Sequence, residues 1–350
     1  MKALDLIHMV PKVEKRLSDD LSRKIYEIRI NYAIYRNTQT LMNEVINLSD
    51  KWNVPLKSTE MIDKVQKVII FGSGEWGRHT LDVLRRSKYK NLEIKFCDND
   101  SNKWCEVGYA GLEIINPKEA IKLENSIIII GSWMYKKEMR QQLLDMGYPE
   151  EQICMPLLGW KGWQYFDYFN PNEDEIFVDG GCYDGKTAVD FTKWASKGYD
   201  YIYAFEANAN SINICQNTIK QHELKGKIID KGLWNKKDTL NFTTNGTSRS
   251  EASRISEDGN EIIETITLDE ILNGKRVTFI KMDIEGAEYN ALLGAEQTIR
   301  KWHPRLAICV YHKPEDILEI PDLLLKMNPD YKFALRTYIS NGDDTVLYAY

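Results

Sequence analysis

One stretch constrains this chain more than any other: EIFVDGGCYDGKTAVDFTKWASKGYDYIYAFE, residues 175–206. Ile176-Phe177-Val178 is a short apolar run with a β-branched, aromatic bias and reads as a buried strand. It stops at Asp179 and enters a turn holding Gly180, Gly181, Tyr183, Asp184 and Gly185. Glycine there permits positive φ and close approach of a ligand to the backbone. A helical pattern follows from Lys186, with Val189, Phe191 and Trp194 roughly on one side, and a second apolar strand, Tyr201–Phe205, ends on Glu206. Strand, glycine turn, helix and acid-ended strand make one nucleotide-binding half of a doubly wound α/β sheet. The terminal acid is placed to accept from both ribose hydroxyls.

The charge of the turn selects the nucleotide. A dinucleotide sets its pyrophosphate over the helix N-terminus, where the dipole favours anions. Asp179 and Asp184 crowd that turn with negative charge. They suit an ammonium and a sulfonium, which S-adenosylmethionine (SAM) carries together with the ribose that Glu206 needs. The blander reading, a turn that only packs helix on strand, leaves the two acids and the spacing of Glu206 unexplained.

Downstream, Asn208 follows Glu206 and opens a helix to His222. Lys227–Ile229 reads as a third strand, and the loop Asp230–Trp234, with Gly232, flanks the adenine in such a fold. Thr239–Thr243 reads as a short strand. The serine-rich stretch 245–257 is either a loop over the site or plain surface. Val277–Met282 is a fourth buried strand delivering Asp283 and Glu285, and Leu306–Val310 a fifth delivering His312. Ligands bind outside the carboxyl ends of such strands. Asp283 therefore reads as a donor- or acceptor-holding acid rather than only part of a helix cap, and His312 as a general base. Two acids at that strand end can also hold a divalent ion on Asp283, but no His/Asp cluster with ligand spacing supports one, and no metal is expected. Lys332–Ile339 and Thr345–Tyr350, joined through Asn341–Asp344, read as an antiparallel hairpin at the sheet edge, typical of SAM-dependent methyltransferases.

Upstream, residues 1–60 carry Leu, Ile and Tyr at helical spacing, with Ser18 and Asp19 as cap candidates. This arm either packs on its own body or forms a homodimer contact. Residues 61–156 hold a second unit: strand Val68–Phe71, the GxGxxG of Gly72–Gly77, a helix, and strand Ile94–Cys97 ending at Asp98. A nucleotide or nucleotide-sugar pocket and a fold kept for packing are equally good readings of it. Aromatic residues 156–172, including Trp160, Trp163, Tyr165 and Phe166, mark the boundary before a third segment, 157–350. They read as an interdomain core or as a surface for stacking on a sugar ring.

The net charge of −6 argues against a chain built for nucleic acid or an anionic membrane. The six cysteines lack metal-ligand spacing and read as reduced thiols. No signal peptide or span-length apolar run is visible, so a cytoplasmic location is expected.

FVDGGCYDGKT, YAFEAN, TITLDEIL, FIKMDIEGAEYNALLGAEQTI and LAICVYHKPEDI followed by YKFALRTY together resemble the FkbM family of methyltransferases over roughly residues 160–350. The resemblance implies a SAM-methyltransferase Rossmann-like fold and methyl transfer to a hydroxyl of a small molecule or carbohydrate. It implies SAM contacts from Asp179, Gly180, Gly181, Asp184, Gly185 and Glu206, Asp283 near the reacting methyl, and His312 as base. The rivals are a nucleotide-sugar oxidoreductase using NAD at Gly72–Gly77, which lacks a Tyr-x-x-x-Lys or nucleophilic-Cys context, and a non-catalytic nucleotide-sensing or assembly module.

Overall fold

The computed structural model describes residues 3–48, 60–86, 88–104, 107–132, 135–154, 163–243, 254–255, 261–339 and 342–350. Trp160 and most of the serine-rich stretch 245–257 lie outside the described residues. The chain divides into two compact units. One holds residues 42–161 and 339–341, the other residues 1–41, 162–338 and 342–350.

In the smaller unit, five parallel strands run β1 (Lys67–Phe71), β2 (Glu93–Cys97), β3 (Ile114–Ile115), β4 (Ser126–Ile130) and β5 (Ile153–Cys154). Their order in the sheet is β3-β2-β1-β4-β5. The continuous apolar run of β4 is what a parallel strand covered on both faces requires, and all five of its residues are buried. Alternate residues feed two cores: Val68 and Ile70 join Ile127 and Ile129, while Ile69 and Phe71 join Ile128 and Ile130.

The larger unit carries β6 (Glu175–Gly180), β7 (Tyr199–Phe205), β8 (Gly226–Ile229), β9 (Gly232–Leu233), β10 (Asp238–Thr243), β11 (Arg254–Ile255) and β12 (Glu261–Ile266). β13 (Phe279–Met282), β14 (Arg305–Cys309), β15 (Phe333–Thr337) and β16 (Thr345–Ala349) follow. Seven of them form one sheet in the order β15-β16-β14-β13-β6-β7-β8. The strands β14, β13, β6, β7 and β8 are parallel neighbours, and β16 runs antiparallel to both β14 and β15. The expected hairpin is present, with its second strand inserted between β14 and the edge. The strand order reverses direction between β6 and β13, which makes the ends of those two strands the switch point where doubly wound sheets bind ligands.

A second, four-stranded sheet, β11-β10-β12-β9, was not foreseen beyond the one strand near Thr239–Thr243. The aromatic run corrects the interdomain reading: Phe166 packs on Phe177, Phe191, Trp194 and Phe279, all within the larger unit. The helix Asp20–Tyr35 is capped by Asp19, which accepts from Ser22 N at 2.8 Å and pairs with Arg336 at 3.1 Å. Ser22 Oγ in turn accepts from Leu335 N at 2.9 Å, fastening this helix to β15. No helix among the described residues is long and apolar enough to cross a membrane.

Candidate active site

The site gathers at the carboxyl ends of β6, β7, β13 and β14. Gly181 sits at φ 74°, and a Cβ there would lie 1.9 Å from the Asp283 carbonyl oxygen. The glycine is therefore required by the chain's own backbone as well as by any ligand. The amides of Gly181 and Cys182 both donate to the Phe205 carbonyl at 3.0 Å, so the turn is laced to the end of β7. Tyr183, left-handed at φ 44°, donates its amide to Glu206 Oε2 at 2.9 Å, and Asn208 N donates to Oε1 at 2.8 Å. Asn208 uses its side chain to cap its own helix, accepting from Asn210 N and Ser211 N, so its part is to hold Glu206. Gly232 lies beside Ala207; a Cβ on it would meet the Ala207 Cβ at 3.8 Å, next to Glu206. Burial pushes the Glu206 carboxyl above its usual 4.5, against the pull of the Asn208 and Tyr183 amides.

The two acids of the turn are less free than their sequence suggests. Asp179 is fully buried and pairs with Lys281 at 3.0 Å; the same ammonium donates to the carbonyls of Gly180 at 3.0 Å and Gly181 at 2.7 Å. Burial disfavours the Lys281 charge, but Asp179 and Asp283 outweigh it and hold the ammonium protonated. Asp184 accepts from Lys186 N at 3.0 Å and pairs with the exposed Lys186 ammonium. Both negative charges are thus locally countered, and the charge argument against a phosphate is weaker than the residue types imply.

Asp283 and His312 do meet. Asp283 Oδ2 accepts from Tyr165 Oη at 2.7 Å, and Oδ1 accepts from Tyr311 Oη at 3.3 Å and lies 3.5 Å from His312 Nε2. Burial raises the Asp283 pKa, yet Lys281, His312 and the Tyr165 bond bring it below the ordinary 3.8. His312 Nε2 is also 3.4 Å from Glu285, and Nδ1 is 3.0 Å from Glu288. Burial opposes charge on the imidazole, but Glu288, Glu285 and Asp283 together lift its pKa well above 6.5. This geometry sets His312 among three carboxylates, which favour its protonated form, whereas a general base acts from the neutral imidazole. Tyr165, Tyr183, Glu285 and Asp344 all hold positive φ around this site, a conformation that costs of order 1–3 kcal/mol each and concentrates where function demands it.

The sequence reading did not single out Lys281, Tyr165 in this role, Tyr311, Glu288 or Asp344. Lys281 did carry a signal: a lysine inside an otherwise buried parallel strand must find a partner. Asp283, Glu288 and His312, which sequence spacing does not show as a group, each offer a ligand atom within 4.8 Å of the others.

In the smaller unit Asp98, the expected ribose acid, is engaged inside the fold. Its Oδ2 accepts from Ser73 N at 2.9 Å, Ser73 Oγ at 2.6 Å and Lys103 Nζ at 3.1 Å, and its Oδ1 from Asp100 N at 3.0 Å. A Cβ on Gly77 would fall 1.8 Å from the Gly72 carbonyl oxygen, so that glycine closes helix onto strand.

A seven-stranded sheet of this order, with one antiparallel strand inserted near its edge and its site at the switch point, defines the Rossmann-like fold of SAM-dependent methyltransferases. Within that class, residues 179–333 match the family described as the methyltransferase FkbM domain. Residues 64–154 match the family described as C2185-like, N-terminal. Among solved structures, methyltransferase FkbM from Methylobacillus flagellatus KT is 18% identical, with a TM-score of 0.46 over 90% of this chain and 100% of that one. A Streptococcus mutans methyltransferase in complex with SAH is 12% identical, with a TM-score of 0.30 over 51% of this chain and 90% of its own. Aeropyrum pernix fibrillarin with natively bound S-adenosyl-L-methionine is 10% identical, with a TM-score of 0.31 over 51% of this chain and 67% of its own. No curated protein matches the sequence.

Proposed function

We propose that this protein binds SAM at the turn between β6 and the helix Lys186–Trp194 and moves its methyl group to a hydroxyl oxygen of a small-molecule or carbohydrate acceptor. The observation that carries this reading is Glu206. Two backbone amides fix its carboxylate at the end of β7, one on each oxygen, leaving lone pairs for the two ribose hydroxyls. Asp179, Gly180, Gly181, Tyr183, Asp184, Gly185 and Gly232 form the remaining cofactor wall, with Asn208 holding the acid.

In the transfer the acceptor oxygen forms a bond to the methyl carbon as the carbon–sulfur bond breaks, leaving S-adenosylhomocysteine. The hydroxyl proton goes to a carboxylate of the cluster around Asp283. Holding oxygen, carbon and sulfur in line supplies most of the acceleration, up to roughly 7–11 kcal/mol for well-oriented reactants. Asp283 and His312 stand where the acceptor oxygen would dock.

The test is transfer from methyl-labelled SAM to panels of hydroxylated small molecules and carbohydrates, followed by mapping of the labelled atom. Label on oxygen, with transfer reduced roughly a hundredfold or more in Asp283→Asn, supports the reading. Label found only on nitrogen or carbon acceptors would overturn the hydroxyl assignment.

A further inference from the structure

We propose that Asp283, Glu288 and His312 form a binding site for one divalent transition-metal cation. Asp283 lies in the loop after β13, Glu288 opens the helix Glu288–Leu293 that follows it, and His312 lies in the loop after β14. One ligand atom from each lies within 4.8 Å of the other two.

Orphaned polar atoms point the same way. The His312 side chain is 9% exposed and Glu288 is fully buried. Glu288 Oε2 has no hydrogen-bond partner, Glu288 Oε1 accepts from Ile284 N at 2.8 Å, and both His312 nitrogens face carboxylate oxygens, at 3.0 Å for Nδ1 and 3.4 and 3.5 Å for Nε2, outside hydrogen-bond geometry. Buried groups left in that state are costly unless something satisfies them.

The local charge is unbalanced too. Asp283, Glu285 and Glu288 face a single imidazole, and the nearest ammonium, Lys281, is already shared with Asp179. From the helix that follows β14, Asp316 adds a further buried acid beside Glu288, and from the hairpin Asp344 adds one beside Asp283. Lys313 donates to the Gly286 carbonyl, and the buried Arg29 donates to the carbonyls of Val310 at 3.2 Å and Gly342 at 3.3 Å and faces Asp316 and Asp343, so neither cation pairs with Asp283, Glu285 or Glu288 in the described contacts. A divalent ion supplies the missing charge and takes the place of the imidazole proton. One imidazole with two carboxylates suits manganese, iron or zinc better than calcium or magnesium, which prefer all-oxygen ligands. Resting on the hydroxyl reading above, such an ion would acidify a coordinated acceptor hydroxyl.

The full chain, stripped with chelator and free of SAM and acceptor, is titrated with Mn2+ and with Zn2+ by calorimetry and thermal melting. Expected are one site per chain, a higher melting temperature with metal, and affinity lower by roughly a hundredfold or more in both His312→Ala and Asp283→Asn. A surface control, Glu296→Gln, keeps the site. Wild-type protein that binds neither ion, or binding that survives in both variants, overturns the proposal. Should a variant fail to fold, pulsed electron paramagnetic resonance of the Mn2+-loaded wild type decides: imidazole nitrogen coupling supports the site and its absence refutes it. Loss of the metal site leaves the methyl-transfer reading standing, and absence of SAM binding leaves the metal site standing.

Discussion

Glu206 shows how a single side chain is made ready by its neighbours: two amides aim it and burial raises its pKa above 4.5. Hydrogen bonds to a charged group are worth about 1.5–3 kcal/mol, so Glu206→Ala is expected to weaken SAM binding by roughly ten- to a hundredfold in calorimetry. The sign of the pH effect follows. The ionised carboxylate accepts the ribose hydroxyls, and its pKa is raised, so affinity is full at neutral pH and falls as acidity passes through a range starting above 4.5. A pH series of titrations reads this directly; affinity flat down to the ordinary glutamate range speaks against it. Lys281 is the other residue on which the site depends. Lys281→Met leaves Asp179 buried without its partner, and breaking such a pair costs about 3–5 kcal/mol, measurable in urea unfolding. Of the residue-level arrangement, the glycine turn, Glu206, Asp283 and His312 were legible because strand, turn and strand end follow one another in sequence. Tyr165 and Asp344 were not: each reaches Asp283 across more than 60 residues through left-handed backbone that no local pattern announces.

Among the elements, long apolar runs such as β4, β6 and β13 were plain in the sequence because a parallel strand buried on both faces has no polar side to disguise it. The small sheet was not. β9 and β11 are two residues each, and β10 and β12 expose alternate residues, so their pairing is specified by tertiary contact. The closing hairpin was legible from its two flanking runs, whereas the insertion of β16 beside β14 was not, since register is set across the sheet. The capped helix Asp20–Tyr35 gives a prediction at this scale. Asp19→Ala removes both the cap to Ser22 and the pair with Arg336, and loss of a cap costs about 0.5–2 kcal/mol; thermal melting should fall accordingly, while an unchanged melt would mean the helix is held by packing alone. Gly181→Ala tests the turn itself. Its new methyl meets the Asp283 carbonyl at 1.9 Å, so the variant is expected to lose stability and SAM binding together.

For the molecule as a whole, the methyltransferase fold and the helices Ala3–Glu14 and Asp20–Tyr35 share one compact unit, and the sheet with the GxGxxG lies in the other. At Gly72–Gly77 the acid after the glycines, Asp98, accepts from Ser73, Asp100 and Lys103, so a dinucleotide ribose there would share it with those groups. The central claim is therefore that cofactor chemistry belongs to the turn after β6. The measurement that tests it most directly is calorimetric titration of the full chain with SAM, S-adenosylhomocysteine and NADH, repeated on Glu206→Ala. The account predicts saturable binding of both adenosyl compounds that weakens in the variant, and no NADH binding. Binding of NADH alone, indifferent to Glu206, would contradict it and place the chemistry in the smaller unit.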